Sequence, residues 1–322
     1  MPYWDFMCNF AAVMILNIVY IIVGLVGVLW GADRFTDGAC GLARKWKVSE
    51  LIIGLTIVAL GTSLPEFVVS FISCLRGSGD MSVGNIIGSN TFNALVIVGV
   101  SCMLLTIPVE RGVLWRDLPF CILVTVAFVL FVMTGEINRI SAGVLCALFV
   151  VFVAYNIYIG KRQRGNADEV AEETTPMWKL VGLVLLGMGV LVGCGQMLVS
   201  GATEVARTLG VSEKVIGITI LAAGTSLPEL ATSVVAARKG SDGLALGNVI
   251  GSNVFNIAFV LGACNMVSPM QTKDVNLVDL LTVLGSVVLL WLVCLTGRQL
   301  RRWEGVLLVA AYAAYLFYVL SH

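Results

Sequence analysis

Two glutamates are notable because they lie deep inside long apolar stretches. Glu66 and Glu229 each close the hexapeptide G-T-S-L-P-E, whereas the rest of the 20 acidic residues fall in polar segments or at the ends of apolar ones. A charged side chain at the centre of a lipid bilayer costs roughly 3 kcal/mol on insertion scales. A carboxylate at such a position is therefore a candidate for binding a cation or a proton.

The same hexapeptide predicts a break in the helix that carries each glutamate. Pro65 and Pro228 lack the N–H that a helix needs, and a glycine four residues earlier lowers the cost of irregular backbone. A break frees main-chain carbonyls, which together with hydroxyls form the all-oxygen environment that hard cations such as Ca²⁺ and Na⁺ favour. These groups are the hydroxyls of Thr62, Ser63, Thr225 and Ser226 and the carbonyls from around Ala59 to Gly61 and Ala222 to Gly224.

Two other interpretations of these residues stay open. The S-x-x-E spacing also fits a capping box at the start of the second half of each helix. An intramembrane hydrolase could use paired acids or an activated serine. However, no basic residue accompanies Ser63 or Ser226, and the only histidine of the chain is the terminal His322. The sequence therefore disfavours an enzyme, and we expect no resident cofactor.

A second motif, G-N-x-x-G-S-N-x-F-N, occurs at 84–93 and again at 247–256. Its spacings of four place two asparagines and a serine on one helix face in each copy. A polar stripe inside an apolar span should face the protein interior, where it lines a pocket or, alternatively, makes interhelical hydrogen bonds. The glycine pairs of the motif allow close helix packing. The stripe consists of Asn85, Ser89 and Asn93 in the first copy and Asn248, Ser252 and Asn256 in the second.

The two motifs belong to a longer internal repeat. Residues 48–93 match 211–256 without a gap, at a constant offset of 163 (229 minus 66). With five spans in each copy, an odd number, the second copy enters the membrane from the opposite side. Inverted repeats are typical of secondary transporters, which bind substrate near the midplane between the repeats. We predict a first repeat at 1–160, a linker at 161–177 and a second repeat at 178–322.

The composition requires a membrane. Hydrophobic residues make up 58% of the chain, charged residues 12%, and the mean hydropathy is +0.96, which is too apolar for a soluble protein of this length. We predict an all-α polytopic membrane protein in which the second and seventh of ten transmembrane helices are broken. The ten predicted spans are 10–30, 49–75, 83–106, 118–134, 140–159, 178–200, 211–237, 244–267, 277–295 and 303–320.

The basic residues predict the orientation of the chain. If ten spans are correct, 15 of the 20 lysines and arginines share one face, and the positive-inside rule places that face in the cytoplasm and both termini outside. The linker carries an acidic cluster, which is either solvated or a regulatory ion site. The solvated linker is favoured because the spacing is unlike that of an EF-hand. The cluster consists of Asp168, Glu169, Glu172 and Glu173.

The doubled motifs resemble the alpha repeats of the sodium/calcium exchangers and of the wider cation/calcium antiporter superfamily. The resemblance implies four clustered cation sites between the repeats, and exchange of Ca²⁺ for Na⁺ by alternating access. It implies calcium ligation by Thr62, Glu66, Thr225 and Glu229. It implies flanking sodium sites that use the carbonyls of Ala59 and Ala222 with Ser63, Ser89, Ser226 and Ser252, and a remaining central position at Asn93 and Asn256.

Departures from the family pattern narrow the expectation. Potassium-dependent relatives carry aspartate in place of Asn256, so its absence implies potassium independence. The large cytoplasmic insertion of animal exchangers is missing, so the chain resembles compact prokaryotic members, and we expect a monomer in a prokaryotic inner membrane with no nucleic-acid partner. Two alternatives in transport stay open: exchange of Ca²⁺ or another divalent cation for protons, and a passive channel.

Overall fold

The computed structural model describes residues 2–76, 79–164, 173–216, 219–220, 222–272 and 275–321, and this part of the chain is mostly helical. We number the helices α1 (Pro2–Trp46), α2 (Glu50–Thr62), α3 (Leu64–Leu75), α4 (Met81–Leu104), α5 (Val113–Met133), α6 (Arg139–Arg164), α7 (Met177–Thr208), α8 (Glu213–Ile216), α9 (Ala222–Thr225), α10 (Leu227–Arg238), α11 (Asp242–Val267), α12 (Leu277–Leu295) and α13 (Arg302–Ser321).

Eight of these helices are long and apolar enough to cross a membrane, and the bent pair α2 and α3 would add a ninth. The predicted multi-pass membrane protein is therefore confirmed. The remaining predicted span, the seventh, at 211–237, includes residues 217, 218 and 221, which lie outside the described residues. The count of ten accordingly stays a prediction.

Helix α1 is longer than the predicted span 10–30, since it continues to Trp46. Two acidic residues in the part of α1 beyond residue 30 pair with a lysine on the helix surface. The Lys239 Nζ atom lies 2.6 Å from the Asp33 Oδ1 atom and 2.5 Å from the Asp37 Oδ1 atom. The partner is 206 residues away from Asp33 in the sequence, so the pattern around α1 could not reveal it. Helix α7 likewise continues past the predicted residue 200 to Thr208.

Helices α1 and α7 pack against each other with their backbones in contact. A Cβ atom added at Gly187 of α7 would lie 2.5 Å from the Phe35 backbone nitrogen, and one added at Gly24 of α1 would lie 2.7 Å from the Leu198 nitrogen. Small residues allow this close approach in membranes, where van der Waals packing drives helix association. The two long helices therefore form one tightly packed pair.

We expect Gly187→Ala to destabilise the protein by about 1–3 kcal/mol, because the new methyl group overpacks the contact between α1 and α7. The matched control is Gly189→Ala in the same helix, where no described atom lies within 4 Å of the added Cβ. Alanine there should be neutral or slightly stabilising. Thermal unfolding in detergent measures both variants, and equal melting temperatures would contradict the packing.

Short antiparallel strand pairs connect early and late parts of the chain. Strand β1 (Ile107–Pro108) pairs with β4 (Gln299–Leu300), and β2 (Glu136–Ile137) pairs with β3 (Met270–Gln271). These pairs join loops that are far apart in the sequence. They therefore hold the two predicted repeats together at the helix ends.

The end of the predicted linker is attached to α1. The Arg44 Nε atom donates to a carboxylate oxygen of Glu173 at 3.0 Å, and the Lys45 Nζ atom donates to the Glu173 carbonyl at 3.0 Å. Hydrogen bonds from Thr175 and Arg44 lower the pKa of Glu173 to about 2. The other members of the acidic cluster, Asp168, Glu169 and Glu172, lie outside the described residues.

Candidate functional site

A single non-helical residue interrupts the helix before each of the two glutamates. Ser63 lies between α2 and α3, which are bent by 47° relative to each other, with φ −85° and ψ 9°. Ser226 separates α9 from α10 with almost the same angles, φ −90° and ψ 9°. Each following helix has its proline in the first turn, where a missing N–H costs little. The predicted break in the second span is confirmed.

The break at Ser63 is tighter than the sequence suggests. The Ser63 N–H still donates to the Ala59 carbonyl at 3.1 Å, so this carbonyl is not freed by the break as predicted. The Ser252 hydroxyl also donates to it, at 3.4 Å. The Thr62 hydroxyl is a third donor to it, also at 3.4 Å. Ala59 therefore lies at the contact between the two repeats, although its carbonyl already accepts three hydrogen bonds. The backbone of its counterpart Ala222 begins α9, and the role of the Ala222 carbonyl stays a prediction.

The two serines at the breaks each reach the glutamate of the opposite repeat. The Ser63 hydroxyl donates to Glu229 Oε1 at 2.8 Å, and the Ser226 hydroxyl donates to Glu66 Oε1 at 3.0 Å. All four side chains are fully buried. Neither serine caps its own helix with its side chain, so capping does not explain the motif. Both carboxyl groups instead lie together between the repeats.

Several buried oxygens near these carboxyl groups have no hydrogen-bond partner among the described residues. Buried polar atoms without partners are uncommon in folded proteins, and carboxylate, hydroxyl and amide oxygens are the ligands that Ca²⁺ and Na⁺ prefer. The arrangement therefore suits a cation that enters and leaves. The unpartnered atoms are Glu66 Oε2, Glu229 Oε2, Ser89 Oγ, Asn93 Oδ1, Thr225 Oγ1 and Asn256 Oδ1.

The predicted threonines lie beside the same carboxyl groups. The Thr225 hydroxyl faces Glu66, whereas the hydroxyls of Thr62 and Ser252 face Glu229. The Thr62 hydroxyl also lies 3.0 Å from the amide oxygen of Asn248. The Glu66 carboxyl group is thus faced by hydroxyls of the second repeat, and the Glu229 carboxyl group by hydroxyls of both repeats.

The site contains no compensating positive side chain in the part of the chain that the structure describes. None of the ion pairs found there involves Glu66 or Glu229. Two ionised carboxylates in a buried site are costly without a partner charge. No group of three or more His, Cys, Asp or Glu side chains suited to a metal occurs among the described residues. Two carboxylates and neutral oxygens favour a hard cation over a transition metal.

Residues 16–158 and 179–321 match the family model described as sodium/calcium exchanger protein. The chain belongs to this family. CaxA of Alkalimonas amylolytica is 37% identical over 318 residues, which cover 96% of this chain and 100% of CaxA. The sodium/calcium exchanger MaX1 of Methanosarcina acetivorans is 32% identical over 347 residues, which cover 94% of this chain and 99% of MaX1.

The fold of this exchanger-family protein matches a solved structure of the sodium-calcium exchanger NCX_Mj soaked with Na⁺ and Sr²⁺. The TM-score is 0.81 at 29% sequence identity, and the match covers 94% of this chain and 97% of NCX_Mj. The family resemblance drawn from the doubled motifs is therefore confirmed. Both the family and the fold are those of transporters rather than enzymes.

Two asparagines of the family motif contact predicted site residues although the spacing argument did not select them. Asn90 and Asn253 each follow a predicted site serine, and both are buried between α4 and α11. They hydrogen-bond to each other and to the predicted site residues Asn93 and Asn256. The signal that could have found them is their presence at equivalent positions of both motif copies.

Two other members of the predicted polar stripe make interhelical hydrogen bonds. The Asn85 amide donates to the Ser70 hydroxyl at 3.0 Å, and the Asn248 amide donates to the Ser233 hydroxyl at 3.0 Å. Each amide also reaches a glutamate main-chain carbonyl: Asn85 that of Glu66 at 3.5 Å, and Asn248 that of Glu229 at 3.3 Å. These contacts tie each motif helix to the half-helix that carries the glutamate.

Proposed function

We propose that this protein is a secondary antiporter that exchanges Ca²⁺ for Na⁺ at a site between two repeats. One observation carries the proposal: Glu66 and Glu229 are both fully buried, each is bound by a serine of the opposite repeat, and each keeps one oxygen without a partner. The name of MaX1, a sodium/calcium exchanger, and the ions used with NCX_Mj support the choice of ions.

Charge balance explains why one pocket would give exchange. The two carboxylates carry a charge of about −2 when ionised, and either one Ca²⁺ or two Na⁺ neutralises that charge. Because the ions compete for the same oxygens, binding of one ion displaces the other. An empty pocket leaves two buried charges unpaired, which disfavours its passage across the membrane. Exchange is thereby favoured over leak.

The proposed ligands are the residues that the sequence selects. Thr62, Glu66, Thr225 and Glu229 would bind Ca²⁺. Sodium ions would bind the same two carboxylates together with oxygens of Ala59, Ser63, Ser89, Ala222, Ser226 and Ser252, and with those of Asn93 and Asn256 at the remaining central position.

The proposed architecture is ten transmembrane helices in two inverted repeats, 1–160 and 178–322, joined by a cytoplasmic linker at 161–177. Both termini would lie outside the cytoplasm, and the monomer would act in a prokaryotic inner membrane. Alternating access would come from sliding of α1 and α7 over the site. Their backbone contacts, at Gly187 and Gly24, support motion of the two helices as one body.

Exchange of Ca²⁺ or another divalent cation for protons is the second candidate. A buried carboxyl group can be neutralised by a proton as well as by Na⁺, and both site glutamates are buried without a positive partner. Under that mechanism each glutamate would release its proton when the divalent cation binds.

Uptake of ⁴⁵Ca²⁺ into proteoliposomes loaded in turn with Na⁺, K⁺ or acid separates these candidates. We expect rapid uptake of ⁴⁵Ca²⁺ into the sodium-loaded vesicles and no uptake above background into the potassium-loaded ones. Uptake driven by an acid interior without sodium would contradict sodium exchange and support proton exchange. Equal uptake in all vesicles would indicate a passive channel and contradict both.

A further inference from the structure

The asparagine network between α4 and α11 has approximate twofold symmetry. The Asn90 amide nitrogen donates to the Asn253 carbonyl at 3.0 Å, and the Asn253 amide nitrogen donates to the Asn90 carbonyl at 3.3 Å. The side-chain oxygens of the same two residues accept hydrogen bonds at 3.1 Å, Asn90 from Asn256 and Asn253 from Asn93. All four side chains are at most 1% exposed.

This network determines which end of each site amide faces the cations. A side-chain amide presents two donors on its nitrogen and an acceptor oxygen. Since the nitrogens of Asn93 and Asn256 are bound to the opposite repeat, their oxygens point away from it and lack a partner. A rotated amide would instead direct its N–H groups at a bound cation, which would repel it.

We propose that Asn90 and Asn253 are positioning residues that orient the amide oxygens of Asn256 and Asn93 toward bound sodium and thereby set the apparent sodium affinity. The inference rests on the proposed function. Neither residue needs to touch an ion. Each acts on the site residue of the other repeat, so the network also joins the two halves of the site.

Loss of one positioning residue should weaken sodium binding selectively. In Asn90→Ala the Asn256 amide can rotate, and we expect the KM for Na⁺ to rise about fivefold to tenfold, the effect of one lost hydrogen bond in a buried site. The KM for Ca²⁺ should change less than about twofold, because the proposed calcium ligands are not bound to Asn90. The kcat should stay within about twofold of wild type, and Asn253→Ala should behave in the same way.

A double-mutant cycle distinguishes positioning from a general structural role. If Asn90 acts through Asn256, then Asn90→Ala should add nothing to the sodium KM of Asn256→Ala. The Asn93 amide donates to Asn253 and not to Asn90, so the effects of Asn90→Ala and Asn93→Ala should multiply. If Asn90→Ala only loosened the helix packing, its effect on the sodium KM would combine in the same way with that of Asn256→Ala and with that of Asn93→Ala.

In its protonated form, which burial favours, the conservative variant Asn90→Asp keeps an oxygen that accepts from Asn256 and gains an O–H that can donate to the Asn253 carbonyl. We expect its KM for Na⁺ to remain within about threefold of wild type. This variant also keeps the proposal testable if the alanine variants do not reach the membrane. A tenfold increase in Asn90→Asp would overturn the proposal.

All variants are measured by ⁴⁵Ca²⁺ uptake into sodium-loaded proteoliposomes over a range of internal sodium concentrations. Failure of the wild type to show sodium-dependent uptake would refute the proposed function itself. A normal wild type, with Asn90→Ala and Asn256→Ala multiplying their effects, would refute the positioning role alone. The expected result is a normal wild type with the pairwise pattern described above.

Discussion

Sodium-driven calcium uptake should fall at least about 100-fold when Glu66 or Glu229 is replaced by glutamine. Each substitution removes one of two buried charges that a divalent cation needs, and breaking a buried charge pair costs about 3–5 kcal/mol. Glutamine preserves the size of the side chain and can still accept the hydrogen bond from the opposite serine, Ser226 for Glu66 and Ser63 for Glu229. Initial rates of ⁴⁵Ca²⁺ uptake into sodium-loaded vesicles measure the effect.

The control for this prediction is Glu204→Gln. Glu204 is near the end of α7, with a side chain 49% exposed, and pairs with Arg207 at 2.6 Å. Exposed ion pairs of this kind contribute about 1 kcal/mol or less, so uptake should be unchanged. Normal uptake in both Glu66→Gln and Glu229→Gln, at normal protein levels, would refute the role of the two carboxylates.

The charge of the pocket predicts how exchange responds to a membrane potential. With two carboxylates, one Ca²⁺ and two Na⁺ each leave a neutral pocket, so we expect wild-type exchange to move no net charge. The variant Asn256→Asp adds a third carboxylate beside the first two, and three Na⁺ would then be needed for neutrality. Exchange of three Na⁺ for one Ca²⁺ moves one net charge.

A potential clamped with valinomycin and a potassium gradient measures this difference. One charge gains about 2.3 kcal/mol per 100 mV, which corresponds to a change of about 50-fold in the calcium gradient reached at equilibrium. The calcium gradient reached by the wild type should not change with the potential, whereas that of Asn256→Asp should show most of the change of about 50-fold. The prediction fails if the potential affects the two proteins equally.

The sequence predicted a multi-pass membrane protein, its family, and the glutamates and serines that the fold brings together, because these depend on local patterns. An apolar span with one glutamate, and a glycine and a proline that flank a break, are local patterns of residue type. The same pattern could not predict that Ser63 would bind Glu229 instead of capping its own helix. That contact joins residues 166 positions apart, and its existence depends on how the repeats pack.

The remaining differences have the same cause. The continuation of α1 to Trp46 was not predicted, and there Asp33 and Asp37 pair with Lys239 only after folding. The hydrogen-bond partners of Asn90 were not apparent, because an asparagine in an apolar helix can bind a neighbour, a ligand or water. Partners across a repeat interface cannot be read from spacing within one helix.

The most direct test of the central claim is an anomalous difference map from crystals of this protein soaked with Sr²⁺ as a calcium substitute. The account predicts a peak between Glu66 and Glu229, within coordination distance of at least one carboxylate oxygen from each. A map in which the ion binds elsewhere, or contacts neither glutamate, would contradict the account.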